Sequence, residues 1–302
     1  MQLHTLGVDG GYTQKDVQEV ARCFSGWTIQ KPNEQGLFLY RPGFHDDGEK
    51  TVLGHKILGG GGYADGERVL DILATHPSTA KFIATKLARR FLSDDPPQSV
   101  IDRAATAFLR TDGSIRETLR AILTAPEFFS AATYRAKTRS PLEYVAAAMR
   151  AMNADTDGDR PVLDMISRMG QPLYGRITPD GFSDRADQWL SSGAMIARFN
   201  FASALAANRI KGTTINAQKI IGNDGSNKEA VALKLMQLIV PTDLSKPSRA
   251  AIGKIVQSDL LRDPSSLPAT VSAGYDAKAP PATAYIAELI TLLIGSPEFQ
   301  HR

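Results

Sequence analysis

A mainly α-helical fold, multi-helical around a single core, with a small β-hairpin region near residues 27–57, is predicted by three features of the sequence. Apolar residues recur at helical spacing in one segment after another, as at Val17, Val20, Ala21 and Phe24. Each such segment is bounded by Pro, Gly or Asp, the residues that stop helices. β-Prone runs flanked by turn residues occur only near 27–57. At 302 residues, 42% hydrophobic and 22% charged, the chain can bury a substantial core.

Taken in order, residues 2–6 read as the tail of an amphipathic helix meeting a glycine stop at Gly7, as though the chain began inside an element. Thr13 is a good N-cap for the helix that carries Val17 to Phe24, and Gly26 ends it. Trp27-Thr28-Ile29 and Gly36–Tyr40, beside Pro32-Asn33 and Pro42-Gly43, predict a short hairpin, and Thr51–Gly54 a third strand. Gly59 to Gly62 is a flexible connection. No Lys-Ser/Thr follows it, so it is not a phosphate loop. Helices are then predicted over 66–74, 80–92, 98–109, 114–123, 141–152 and 161–169, the second starting at His76-Pro77. After an irregular loop over 170–182, a long helix over 186–208 holds Trp189, Met195, Phe199 and Leu205. Helices over 227–239, 248–261 and 282–293 follow, with a proline-rich exposed link at 264–281. Residues 1–226 are expected to form the main domain, and 227–302 a C-terminal helical subdomain packed on it. The helix endings at Ala125-Pro126-Glu127-Phe128 and Ser296-Pro297-Glu298-Phe299 echo each other, but one such pair is not a repeat.

Charge and cysteine content narrow the function classes. The formal net charge is +3, from 35 basic and 32 acidic residues interleaved along the chain. No basic block suited to nucleic acid is present, and Lys81, Lys86, Arg89 and Arg90 fall on one solvated helix face. No run of eighteen apolar residues marks a transmembrane helix. The N-terminus lacks the pattern of a signal peptide. The single cysteine, Cys23, allows no intrachain disulfide and no thiolate cage, and reads as a small buried hydrophobe.

The strongest chemical cluster is His45-Asp46-Asp47-Gly48-Glu49-Lys50. Imidazole, carboxylate and ammonium at His45, Asp46 and Lys50 could act as base and orienter or hold a divalent ion. The Asp-x-Asp-x-Asp-Gly alternation of a calcium loop is absent. The plainer reading is a polar turn in which Asp46 or Asp47 caps the backbone, Gly48 takes a positive φ and Lys50 is solvated. Candidate binding residues are His4, Arg22, Trp27 and His76. His4 reads more simply as a core histidine, His76 as a helix cap, and Trp27 and Trp189 as core aromatics that could also stack on sugars. No HxxxH, HExxH or Gly-x-Ser-x-Gly spacing occurs, so metal, cofactor and reaction stay unidentified.

Longer stretches carry a resemblance. LHTLGVDGGYT-x-x-DV-x-x-x-AR-x-F-x-GW, then HDDGEK-x-x-LG and HP-x-TA-x-x-IA-x-KL-x-x-x-F, resemble a bacterial family known only as domain of unknown function 1800. SDDPP after Phe91, SPLEYV at 140–145, MGQPLY at 169–174 and SPEFQ at 296–300 continue the match in family order. The resemblance implies a helical, exported bacterial protein, periplasmic or extracellular, of which this chain is the C-terminal portion. It also implies genomic association with a sulfatase-like sister family. It implies no activity.

Two functions follow as expectations. One is a noncatalytic binding or assembly module whose partner is a sister exported protein or a cell-surface polymer. The other is a hydrolase-like enzyme with a site at His45, Asp46 and Lys50, metal-assisted or not. The first predicts an open apolar or aromatic surface. The second predicts His45, Asp46 and one of His4, Arg22 or His76 around one cleft.

Overall fold

The computed structural model describes residues 1–222, 227–257 and 281–302. The fold is mainly α, with small two-stranded antiparallel sheets. Two compact units share the chain, Met1–Thr133 and Tyr134–Arg302.

In the first unit a single π-helical turn, Gln2–Leu6, points Leu6 into the core. Helix α1 (Gln14–Cys23) starts at a full capping box. The Thr13 hydroxyl accepts from the Asp16 amide at 3.2 Å, and the Asp16 carboxylate accepts from the Thr13 amide at 2.8 Å. Strands β1 (Trp27–Gln30) and β2 (Leu37–Tyr40) form a hairpin with Trp27 opposite Tyr40 and Ile29 opposite Phe38. Strand β3 (Lys50–Val52) gains a partner the sequence did not announce, β4 (His55–Ile57). Leu53 (φ 49°) and Gly54 (φ 79°) close a two-residue turn with two positive φ angles. Such turns match the twist of a hairpin but are usually signalled by Asn-Gly or Asp-Gly, not Leu-Gly.

Helices α2 (Tyr63–Ala74), α3 (Pro77–Phe91), α4 (Gln98–Arg110) and α5 (Ile115–Leu123) complete the unit. Leu6, Cys23, Val52, Ile57, Val69 and Leu73 form one buried cluster, which ties α1 and the β3–β4 hairpin to α2. Ala84, Ala88 and Ala104 form another with Leu92, Val100 and Ile122, their small side chains letting α3 and α4 lie close.

The second unit holds α6 (Pro141–Ala151), β5 (Asp155–Thr156), α7 (Arg160–Arg168), α8 (Ser192–Ala206) and β6 (Thr213–Thr214). It continues with α9 (Ala217–Ile221), α10 (Lys228–Ile239), α11 (Lys246–Gln257), α12 (Pro281–Gly295) and α13 (Pro297–Gln300). The helix expected over 186–208 is interrupted. Ala186–Gln188 is a 3₁₀ turn, and Ser191 then caps α8 by accepting from the Ala194 amide at 3.2 Å. Trp189 lies in the break, buried, with its indole N–H on the Ser183 carbonyl at 3.1 Å. That hydroxyl cap and that anchored indole fix a start that periodicity alone overran.

The boundary expected at 226/227 falls inside this unit. Phe201 and Leu205 of α8 share one core with Val231 and Leu235 of α10 and with Leu289 and Leu293 of α12. The link expected at 264–281 and the end of the helix expected over 248–261 lie largely outside the described residues. Among the described residues no helix is long and apolar enough to cross a membrane.

Candidate functional site

The His45–Lys50 turn is covered by the glycine-rich connection to α2. The Gly60 amide donates to the Asp47 carbonyl at 2.9 Å, and a Cβ on Gly59 would sit 2.7 Å from that same oxygen. The chain can therefore lie flat on the turn and deliver α2 with Asp65 in its first turn. An acid there also suits the positive end of the helix.

Asp65 is the residue the sequence reading missed. Its Oδ2 accepts from Lys50 Nζ at 2.6 Å and lies 3.2 Å from His45 Nε2. The side chains of His45 and Lys50 are 0% exposed and that of Asp65 is 3% exposed, so the expected solvation of Lys50 is corrected. Lysine reaches this interior because a carboxylate waits there, and because its remaining donors meet the Asp46 carbonyl and face His45 Nε2 at 3.4 Å. His45 Nδ1 is 2.8 Å from the Ser25 carbonyl. With that nitrogen donating to Ser25, Nε2 turns its lone pair toward the lysine, and protonation would turn it into a donor to Asp65.

Asp46 faces away from this trio. Its carboxylate accepts from Arg22 Nε at 2.8 Å and Nη2 at 3.2 Å, and from the Gly48 amide at 2.9 Å. Arg22 Nη1 grips both oxygens of Glu19 at 3.0 Å. Glu19 in turn accepts from the Thr51 amide at 2.9 Å, and Asp16 from the Leu53 amide at 2.8 Å. Two carboxylates of α1 thus hold the β3–β4 hairpin by its backbone. The Arg22 guanidinium, followed by the Gly48 amide, holds Asp46 far below the usual carboxylate range. Asp46, then Glu19, raises Arg22. Gly48 keeps an ordinary φ, contrary to expectation; it is needed for space, since a Cβ would come within 2.8 Å of Arg22 Nη2.

Of the other expected residues, His4 is exposed, not a core group, because the π-helical turn sends Leu6 inward instead. His76 caps α3, its Nδ1 accepting from the Ser78 amide at 3.1 Å. Neither joins the cluster. Cys23 is fully buried, and burial pushes its thiol up.

Trp27 is half-buried in an aromatic group, stacked on Tyr63 with ring centroids 5.0 Å apart and edge-on to Phe24 and Phe38. A Cβ on Gly66 would collide with its ring at 2.4 Å. With Tyr63 on one face, Trp27 serves as a base for the hairpin. Tyr40 extends the group to within 6.0 Å of the His45 ring.

Chemically, the arrangement balances charge and locks a fold; solvent does not reach its imidazole. Among the described residues no three of His, Cys, Asp or Glu gather as a metal cluster. Beyond the cluster, the hairpin tip is open. Ile29, Leu37 and Phe38 are 56%, 58% and 54% exposed, and Phe44 is exposed as well.

A family model described as protein of unknown function (DUF1800) matches residues 1–301. No curated protein and no solved structure matches the chain.

Proposed function

Because the chain belongs to the DUF1800 family, a membership that names no reaction, we propose from the geometry that its first unit is a noncatalytic binding module. Its contact surface is the β1–β2 hairpin, and its setting is an exported bacterial system, as the family resemblance implies. One contrast carries this reading: the titratable cluster is sealed, while the apolar hairpin beside it is open. Soluble proteins rarely leave adjacent large apolar side chains in water without use.

The partner class follows from the backbone. The hairpin is a two-stranded sheet, and among the described residues its outer edges carry unpaired N–H and C=O groups, apart from the Trp27 N–H, which donates to the Phe24 carbonyl at 3.1 Å. An extended segment of a sister protein would satisfy such an edge and cover Leu37 and Phe38 together. A cell-surface polymer would use the aromatic rings without the edge. The hydrolase-like alternative would need an opening that exposes His45 to substrate.

Photo-crosslinking residues placed at Leu37, at Phe38 and at exposed Lys81 as a control, in cells of the source bacterium, test this. The reading expects one discrete protein adduct from the hairpin positions, lost on Ile29→Ser. Adducts equal to the Lys81 control would sink it. Retention on purified cell-wall polymer without a protein adduct would move the partner to the polymer. Loss of a hydrolytic activity specifically on His45→Gln would favour the enzyme.

A further inference from the structure

Among the described residues, the second unit buries a positive charge that no acid pairs. Arg198 on α8 is fully buried, and none of Arg198, Arg139 and Arg135 pairs with a carboxylate among the described residues. Glu143, the nearby acid, is engaged with Arg302 at 3.2 Å. Arg198 Nη1 donates to Gln300 Oε1 at 2.8 Å and Nη2 to the Arg139 carbonyl at 2.7 Å. The guanidinium lies 4.9 Å from the Tyr144 ring centroid. Arginine does not shed its proton in proteins, so the charge stays. Its Nε, buried, has no hydrogen-bond partner among the described residues.

Four more buried polar atoms share that condition among the described residues, Trp27 Nε1, Arg209 Nε, Thr138 Oγ1 and His301 Nδ1, the last two on facing residues. Thr138 stands opposite His301 in an antiparallel bridge. Flanking backbone bonds run from the Arg139 amide to the Gln300 carbonyl and from the Arg302 amide to the Lys137 carbonyl, each 2.8 Å. Thr138 and His301 are therefore a pair without mutual backbone bonds, the arrangement that brings opposing side chains closest. Arg198 bridges the same two segments through its bonds to residues 139 and 300.

Arg139 donates to the Phe299 carbonyl and lies over the Phe299 ring, and Arg135 donates to the Glu298 and His301 carbonyls. Burial, then the charges of Arg135, Arg139 and Arg198, holds His301 below its ordinary value. Burial, then Arg135 and Arg302, brings Arg139 down to about 10. The carbonyl bonds explain how the C-terminal tail is tied down. Glu143 offsets part of the Arg139 charge, but among the described residues no acid offsets that of the buried Arg198, whose Nε and two further polar atoms are left unpartnered, an arrangement native proteins avoid.

We propose that Arg198, Arg139, Arg135, Thr138 and His301 form a binding site for a small oxyanion, a carboxylate or phosphate group. Such a group accepts from Arg198 Nε, the Thr138 hydroxyl and His301 Nδ1–H, and its charge offsets the arginines.

Calorimetric titration of the whole chain with inorganic phosphate, and separately with acetate, tests the site at an ionic strength held constant with sodium chloride. Saturable one-to-one binding of either anion is expected, with a matching rise in Tm. Phosphate alone would assign a tetrahedral ligand, acetate alone a carboxylate. Thr138→Val, nearly isosteric and charge-neutral, and Arg139→Gln should each weaken binding by about tenfold or more, the size of one lost charge-assisted hydrogen bond. No saturable binding of either anion, or undiminished binding in Thr138→Val, overturns the assignment. Should Arg139→Gln fail to fold, Thr138→Val decides alone.

Discussion

Each unit of this protein buries a cation, and the two do it by opposite means. In the first, Lys50 and His45 share the single carboxylate of Asp65, drawn from within twenty residues of chain. In the second, Arg198 lies among neutral acceptors, Gln300 Oε1, the Arg139 carbonyl and the Tyr144 ring, gathered across more than a hundred positions. The difference lies in what each leaves unfinished. A carboxylate closes its cluster electrically and leaves little for a ligand to do. Neutral acceptors leave Arg198 with its charge unbalanced and its Nε unpartnered among the described residues, which is the opening for the anion proposed above. A cluster of titratable groups in the sequence is therefore a poor guide to a binding site until its charge balance is known.

Removing the acid gives the largest expected effect. Asp65→Asn should cost about 3–5 kcal/mol in urea unfolding, because it strands the fully buried Lys50. The double change Asp65→Leu with Lys50→Met should recover much of that loss, since both charges leave together. Recovery would show an ion pair used for specificity; no recovery would show that the lysine's bond to the Asp46 carbonyl matters more. Next in size is Gly61→Ala. An added Cβ would sit 2.0 Å from Asp65 Oδ1, and that carboxylate cannot turn away without releasing Lys50. A loss of about 1–3 kcal/mol is expected, by the same unfolding measurement.

Arg198→Met comes third. It strands the Gln300 and Arg139 acceptors but also removes an unbalanced charge, so the two effects partly cancel, leaving roughly 1–2 kcal/mol. A loss as large as that of Asp65→Asn would break the comparison, since the neutral cage would then hold its cation as firmly as the carboxylate does.

How much of this was legible varies with the range of the interaction. The N-cap at Thr13, the helix start at His76-Pro77, and the hairpin at 27–40 are written in adjacent residues, and the structure places them there. His45, Asp46 and Lys50 stood out as a cluster, yet Asp46 turns to Arg22 while the other two turn to Asp65. Nothing in a six-residue turn reveals which way each side chain points. Asp65 fell just before the helix expected over 66–74 and carried no signal of its own, and Gly59 to Gly62 read as slack; only their close approach to the turn shows that they build the cluster. Arg198 drew no notice at all, because its partners at 139, 144 and 300 are set by the packing of α6, α8 and α13.

The smallest effect asks why the second unit does not use its own acid. Glu298 stands three positions before His301, and its carbonyl accepts from Arg135. Its carboxylate goes elsewhere, accepting from the Ser245 amide at 2.8 Å and the Ser248 hydroxyl at 2.9 Å, at the start of α11. Burial raises this carboxyl, but the Ser245 amide and the Ser245 and Ser248 hydroxyls outweigh it and hold the group at about 2, below its ordinary 4.5. A depressed folded value stabilises the fold above pH 4.5, and that contribution is lost as the pH falls from 4.5 through about 2. After discounting for solvent screening, about 1 kcal/mol is expected. His301 adds a loss of the same sign beginning near its ordinary 6.5. The Glu298 part is therefore the difference in acid unfolding between the native chain and Glu298→Gln below pH 4.5. If the two acid profiles coincide, the carboxylate contributes nothing at α11, and an acid was available for arginines that did not take it. If they separate, helix α11 holds the acid in place, and the fold has committed it to that helix start instead of to the arginines.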